Sequence, residues 1–142
     1  QQAGIEPVVL TVDFNTPNSE RPGLIRERLN LVADDVDAVF ATDDLAAAQV
    51  VEWAAQRDLR IPDDFKVIGF DGTVAMQHAL PALTTIQQPI TKLARAAVDL
   101  LLNRIESTTA VSSESTQSGG PGMKDLQVPS PMPVKLLPGR TA

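Results

Sequence analysis

The chain has 142 residues, 43% of them hydrophobic, with a formal net charge of -6 and no cysteine. That length and apolar share suit one compact domain with a real core, and the acidic balance argues against direct grip on nucleic-acid phosphates. The lack of cysteine excludes disulfides and cysteine-held metals and fits a reducing compartment, and no apolar run is long enough to span a bilayer.

Gln1-Gln2-Ala3-Gly4-Ile5 reads as a helix end with Gly4 near its C-cap, so the chain is expected to begin inside a longer one. Val8-Val9-Leu10-Thr11-Val12 is the first expected strand; it gives way to Asp13-Phe14-Asn15 and a loop of turn formers. Pro22 suits a first helical position, and Leu24, Ile25, Arg28, Leu29 and Val32 follow at helical spacing. Ala38 to Ala41 make a second strand that runs into Thr42-Asp43-Asp44. The next helix spans about Leu45 to Arg57, with an apolar stripe of Ala47, Val50, Val51 and Ala54 widened by Leu45, Ala48 and Ala55. This is more apolar surface than one sheet face needs, and part of it is expected to meet a partner subunit.

Phe65 to Gly72 is the central strand: Val67, Ile68 and Phe70 leave little room for a solvated face, as in a parallel strand covered on both sides. A short helix at Val74 to Ala79 stops at Pro81, and Leu83 to Gln87 form a further strand. An amphipathic helix runs from about Thr91 to Glu106, with Ala94, Ala97, Val98, Leu101 and Ile105 on one stripe. From Ser107 to Gln127 the composition turns to Ser, Thr, Gly and Gln, which predicts a flexible insertion. Val134 to Leu137, boxed in by prolines, reads as an edge strand. The expected organisation is therefore one α/β body over 1–106, an insertion at 107–127, and a terminal strand and tail over 128–142. The strand–helix alternation predicts a doubly wound, mostly parallel sheet.

Asp13-Phe14, Thr42-Asp43 and Asp71 stand at the carboxyl ends of strands, where open α/β sheets hold ligands. Carboxylates accept from ligand hydroxyls, and an aromatic ring packs on the apolar face of a sugar or on a base. The alternatives are plain: Asp43 precedes a helix and suits an N-cap, Asp71-Gly72 suits a bare turn, Phe14 suits a core contact and Asp13 a loop. Trp53 reads as packing or interface, and His78 as surface. There is no GxGxxG, GxxxxGK[ST] or GxSxG and no metal-spaced cluster, so neither an enzyme nor a cofactor is expected.

Four blocks in order, Asp37 to Ala46, Arg57 to Asp64, Val67 to Asp71 and Pro81 to Pro89, resemble the LacI/GalR family of bacterial transcription regulators. The resemblance covers nearly all of residues 4–106 and 134–140; the insertion departs from it. It implies an incomplete C-terminal subdomain of a periplasmic-binding-protein-like effector domain, with a DNA-binding headpiece and a second subdomain ahead of residue 1. It further implies a cytoplasmic, dimeric or tetrameric repressor sensing a sugar, sugar phosphate or nucleobase, and touching operator DNA only through the headpiece. Phe14 matches the family's stacking aromatic and Asp71 its ligand-hydroxyl acceptor; Thr42 stands where many members carry Asn, and Gly72 where a second Asp is common. The helix at 45–57 and the segment 74–81, including Met76 and Ala79, match dimerisation surfaces. A transporter's sugar-binding protein of the same architecture is the alternative.

Overall fold

The computed structural model of the protein describes residues 4, 6–13, 15–80, 82–111 and 131–142, with the backbone alone for 107–111. The chain divides into two compact units, residues 1–87 with 135–142, and residues 88–134. The first carries α1 (Arg21–Val32), β1 (Ala38–Phe40), α2 (Asp44–Gln56), β2 (Lys66–Asp71), α3 (Val74–Ala79), β3 (Thr84–Gln87) and β4 (Lys135–Leu137). The second carries the helix Ile90–Val111, here α4.

The four strands lie in the order β1-β2-β3-β4. β1 and β3 run parallel to β2 on either side of it, and β4 closes the β3 edge antiparallel. This is the mostly parallel α/β sheet that the alternation predicts, with the proline-flanked strand at an edge. α1 begins with proline in its first turn, where a missing N–H costs nothing. α2 is capped at Asp43, whose Oδ1 accepts from Ala46 N–H at 2.7 Å. It ends where Asp58 takes a left-handed φ of 57°. There Leu59 N–H reaches Ala54 C=O at 3.0 Å and Asp58 N–H reaches Ala55 C=O, the Schellman closure usually built on glycine.

The core is built where α2 meets both β2 and α1. Leu29, Ala47, Val50, Trp53, Ala54, Phe65 and Val67 are each 3% exposed or less. Trp53 packs edge-on to Phe65 with ring centroids 5.4 Å apart, and its indole N–H donates to Asn30 Oδ1 at 2.9 Å. The surplus apolar surface of α2 is thereby explained: the helix is covered on two sides of its own chain. Ala47, Val50 and Ala54 are therefore core residues and not partner contacts, a correction to the sequence expectation. Val51 is half-buried against the same core and Met76 half-buried, while Ala79 is exposed.

Two other expectations change. Val8 to Val12 form no strand in the described structure, and Val8 and Val9 are 53% and 77% exposed. A parallel strand needs cover on both faces, which those side chains lack, and the three-residue β1 pairs only with β2. α4 continues to Val111, so residues 107–111 of the expected insertion are helical; the rest of that insertion lies outside the described residues. Along α4, Val98, Leu101 and Ile105 remain more than half exposed.

Candidate functional site at the carboxyl ends of the parallel strands

β1 and β2 are parallel and in register from Ala38 opposite Lys66 to Phe40 opposite Ile68. Their carboxyl ends therefore open on one edge of the sheet, Thr42 following β1 and Asp71 closing β2. The pairing persists past β1, with Ala41 N–H donating to Ile68 C=O at 2.8 Å. Thr42 is exposed and Asp71 half-buried. Asp43, next to Thr42, turns its carboxylate to the first turn of α2 and acts as its N-cap, the plain alternative the sequence offered. Asp13 is exposed, and its Oδ1 accepts from Asn15 N–H at 2.8 Å, closing a turn on itself. Phe14 lies outside the described residues. His78 is exposed, as read from the sequence.

Asp71 has φ 104° and Gly72 φ 60°. Positive φ is rare for a residue with a side chain, and such strain gathers at functional sites. The Gly72 peptide is held from both ends. Its N–H donates to Asp44 Oδ2 at 3.0 Å, and its carbonyl accepts from Gln77 Nε2 at 2.8 Å and from Gln87 Nε2 at 3.3 Å. The other Asp44 oxygen, Oδ1, accepts from the Thr85 hydroxyl at 2.5 Å. Asp44 and Thr85 are 2% and 3% exposed.

Asp44 is the residue that sequence reasoning passed over. The signal was present: Asp44 stands three residues before Ala47, on the same helical stripe as Ala47, Val50 and Ala54. A carboxylate on that stripe must be buried, and a buried carboxylate must have hydrogen-bond partners. Of the adjacent acids Asp43 and Asp44, the one off the stripe caps the helix and the one on it enters the protein. A cavity of about 300 Å³ borders the clamp, lined by Met76, Leu80, Leu83 and Leu137 with Asp44 and Thr85 among its polar groups. Among the described residues, no group of three or more His, Cys, Asp or Glu could hold a metal ion. No helix among them is long and apolar enough to cross a membrane.

Residues 1–120 match the family model of the periplasmic binding protein-like domain. The chain is 35% identical over 106 residues to a sucrose operon repressor of Pediococcus pentosaceus, a match covering 75% of this chain and 28% of that protein. It is 30% identical over 106 residues to a ribose operon repressor of Halalkalibacterium halodurans, covering 75% of this chain and 31% of that protein. Among solved structures, the transcriptional regulator CelR in complex with cellobiose aligns with a TM-score of 0.62 at 27% identity, covering 85% of this chain and 32% of that one. The chain thus spans less than a third of the length of these relatives. The similarity to LacI-type regulators read from the four sequence blocks is borne out.

Proposed function

The chain belongs to the periplasmic binding protein-like domain family, and from that premise we propose that it is the effector-sensing part of a sugar-responsive transcriptional repressor. One observation carries the reading: Thr42 and Asp71 stand at the same end of adjacent parallel strands. That is the position at which open α/β sheets bind ligands. The repressor names of its relatives favour a regulator over a transporter's binding protein.

In this reading Asp71 accepts hydrogen bonds from effector hydroxyls, a charge-assisted contact, with Thr42 as a second polar group. Phe14 supplies the ring that packs on the effector's apolar face and Asp13 a further acceptor, and Asp43 contributes through the helix end it caps. Self-association uses Val51, Met76 and Ala79, and operator contact belongs to a headpiece outside this chain. The whole protein works in the cytoplasm. Effector binding biases a two-state dimer only as far as the effector prefers one state.

The test is made on the full-length regulator with sucrose, ribose and cellobiose as probes. Asp71→Ala should abolish the effector response in gel-shift assays and calorimetry while operator binding stays intact. Unchanged sugar affinity in that variant removes Asp71 from the site. The 142-residue chain alone, which spans less than a third of the length of these relatives, should bind these sugars weakly or not at all.

A further inference from the structure

Asp71 ends β2 in a backbone conformation that residues with side chains rarely adopt, and Gly72 follows with a second positive φ. Asp before glycine tolerates that geometry better than most residues, but an extended strand would carry Asp71 on with negative φ, so local preference alone does not fix it. Its cause lies elsewhere in the fold. The Gly72 N–H, one atom beyond the Asp71 carbonyl carbon, is taken by the Asp44 carboxylate from the first turn of α2. We propose that Asp44 is a positioning residue for the effector site, holding Asp71 in its positive-φ conformation through the Gly72 amide. The proposal rests on the reading of Asp71 as the ligand acceptor and adds what sets its place.

The carboxylate is well suited to this task. It is 2% exposed, so the loss of either partner would leave a poorly solvated charge, and both hydrogen bonds are strongly enforced. A charged acceptor holds a backbone N–H more firmly than a neutral one. Its other oxygen is tied to Thr85 on β3, so the group cannot swing with α2 alone. Gly69 on β2 leaves the space it needs: a Cβ there would stand 2.5 Å from Asp44 Oδ1 and 3.3 Å from the Ala47 Cβ. Helix α2, strand β3 and a bare position on β2 thus converge on one peptide. A turn fixed in advance spares the ligand the cost of ordering it.

The experiment follows Asp71 and Gly72 directly by NMR on the 142-residue chain. In the wild type, Asp71 should show the small amide–Hα coupling of a positive φ, and the Gly72 amide should exchange slowly. Asp44→Ala should raise the Asp71 coupling toward that of an extended residue and speed Gly72 exchange about tenfold, the equivalent of one lost hydrogen bond. Asp44→Asn keeps an acceptor for Gly72 and should restore both signals. Native coupling and exchange in a folded Asp44→Ala chain overturn the proposal. Should Asp44→Ala fail to fold, Thr85→Val and Gly69→Ala carry the test. Each disturbs the carboxylate from its far side, and unchanged Asp71 and Gly72 signals in both overturn it equally. In the full-length regulator, a displaced Asp71 with undiminished sugar affinity sinks the positioning role. A displaced Asp71 in a protein whose wild type ignores all three sugars sinks only the sugar-sensing reading.

Discussion

The Thr141 hydroxyl donates to the Val67 carbonyl at 2.7 Å. It also accepts from Thr84 N–H at 2.8 Å, and Thr141 C=O takes the Val67 N–H at 2.7 Å. A residue far along the chain thereby fills the gap between β2 and β3 at the end of the sheet opposite the candidate site. Thr141 is 5% exposed, so water cannot replace what it supplies. Thr141→Val, which keeps the shape but not the hydroxyl, should destabilise the chain by about 1–3 kcal/mol. Thr141→Ser should recover most of that. Urea midpoints for the three proteins measure it, and equal midpoints would mean that the tail is not seated in solution.

An aspartate in place of Gly72 should not be accommodated in this fold. At φ 60° a side chain is strained whatever space it has. In addition, a Cβ on Gly72 would lie 2.6 Å from Gln87 Cβ and 2.7 Å from its Cα. Backbone would have to move on β3. Gly72→Asp is expected to cost roughly 1–3 kcal/mol in stability and to gain no sugar affinity, both measurable by denaturation and calorimetry. A stable Gly72→Asp protein would show that the turn can be rebuilt.

The helices, all four strands of the sheet and its mostly parallel order were legible because their apolar spacing is strong and their ends carry proline, Asp or Thr signals. What was not legible is what depends on partners distant in sequence. The stripe of α2 gave its width but not that α1 and β2 share it, so Ala47, Val50 and Ala54 read as partner surface. Val8 to Val12 has strand composition, yet composition does not supply a neighbour to cover it. At the site, Thr42 and Asp71 could be placed because strand ends are local features. Asp44 could not, because its partners Gly72 and Thr85 lie 28 and 41 residues away.

Trp53 is the sole tryptophan and so reports on its own burial. Its N–H depends on Asn30 Oδ1, which also accepts from Arg57 Nη1 at 3.3 Å, and the Arg57 guanidinium lies 5.4 Å from the ring centre. Asn30→Leu leaves the buried indole N–H without an acceptor and should cost about 1–3 kcal/mol. The folded protein should still show a blue-shifted emission, since Phe65 keeps the ring covered. Arg57→Ala, which touches only the exposed side, should cost less than about 1 kcal/mol. The reverse ranking would place the energetic weight on the cation and not on the indole hydrogen bond.

Asp64 is paired with Arg60 through two side-chain hydrogen bonds of 2.7 Å each and a third from the Arg60 backbone N–H at 3.0 Å. These donors, the guanidinium first, lower its carboxyl from 3.8 to about 2. Because the folded value lies below the unfolded one, the pair stabilises the chain above about pH 4, where the unfolded carboxyl is ionised. That contribution fades as the pH falls from 3.8 through about 2. The effect is small and salt-sensitive, since the Arg60 side chain is 72% exposed. A carbon-detected titration of the Asp64 carboxyl should give a midpoint near 2 in the wild type and a higher one in Arg60→Gln, where the backbone N–H of residue 60 still donates and keeps the carboxyl below its ordinary value. The stability difference between those two proteins should be full at neutral pH and should close as the pH falls below about 4. An Asp64 midpoint unchanged by Arg60→Gln would mean that the fork is open in solution, and the turn from Arg60 to Phe65 would then rest on its backbone hydrogen bonds alone.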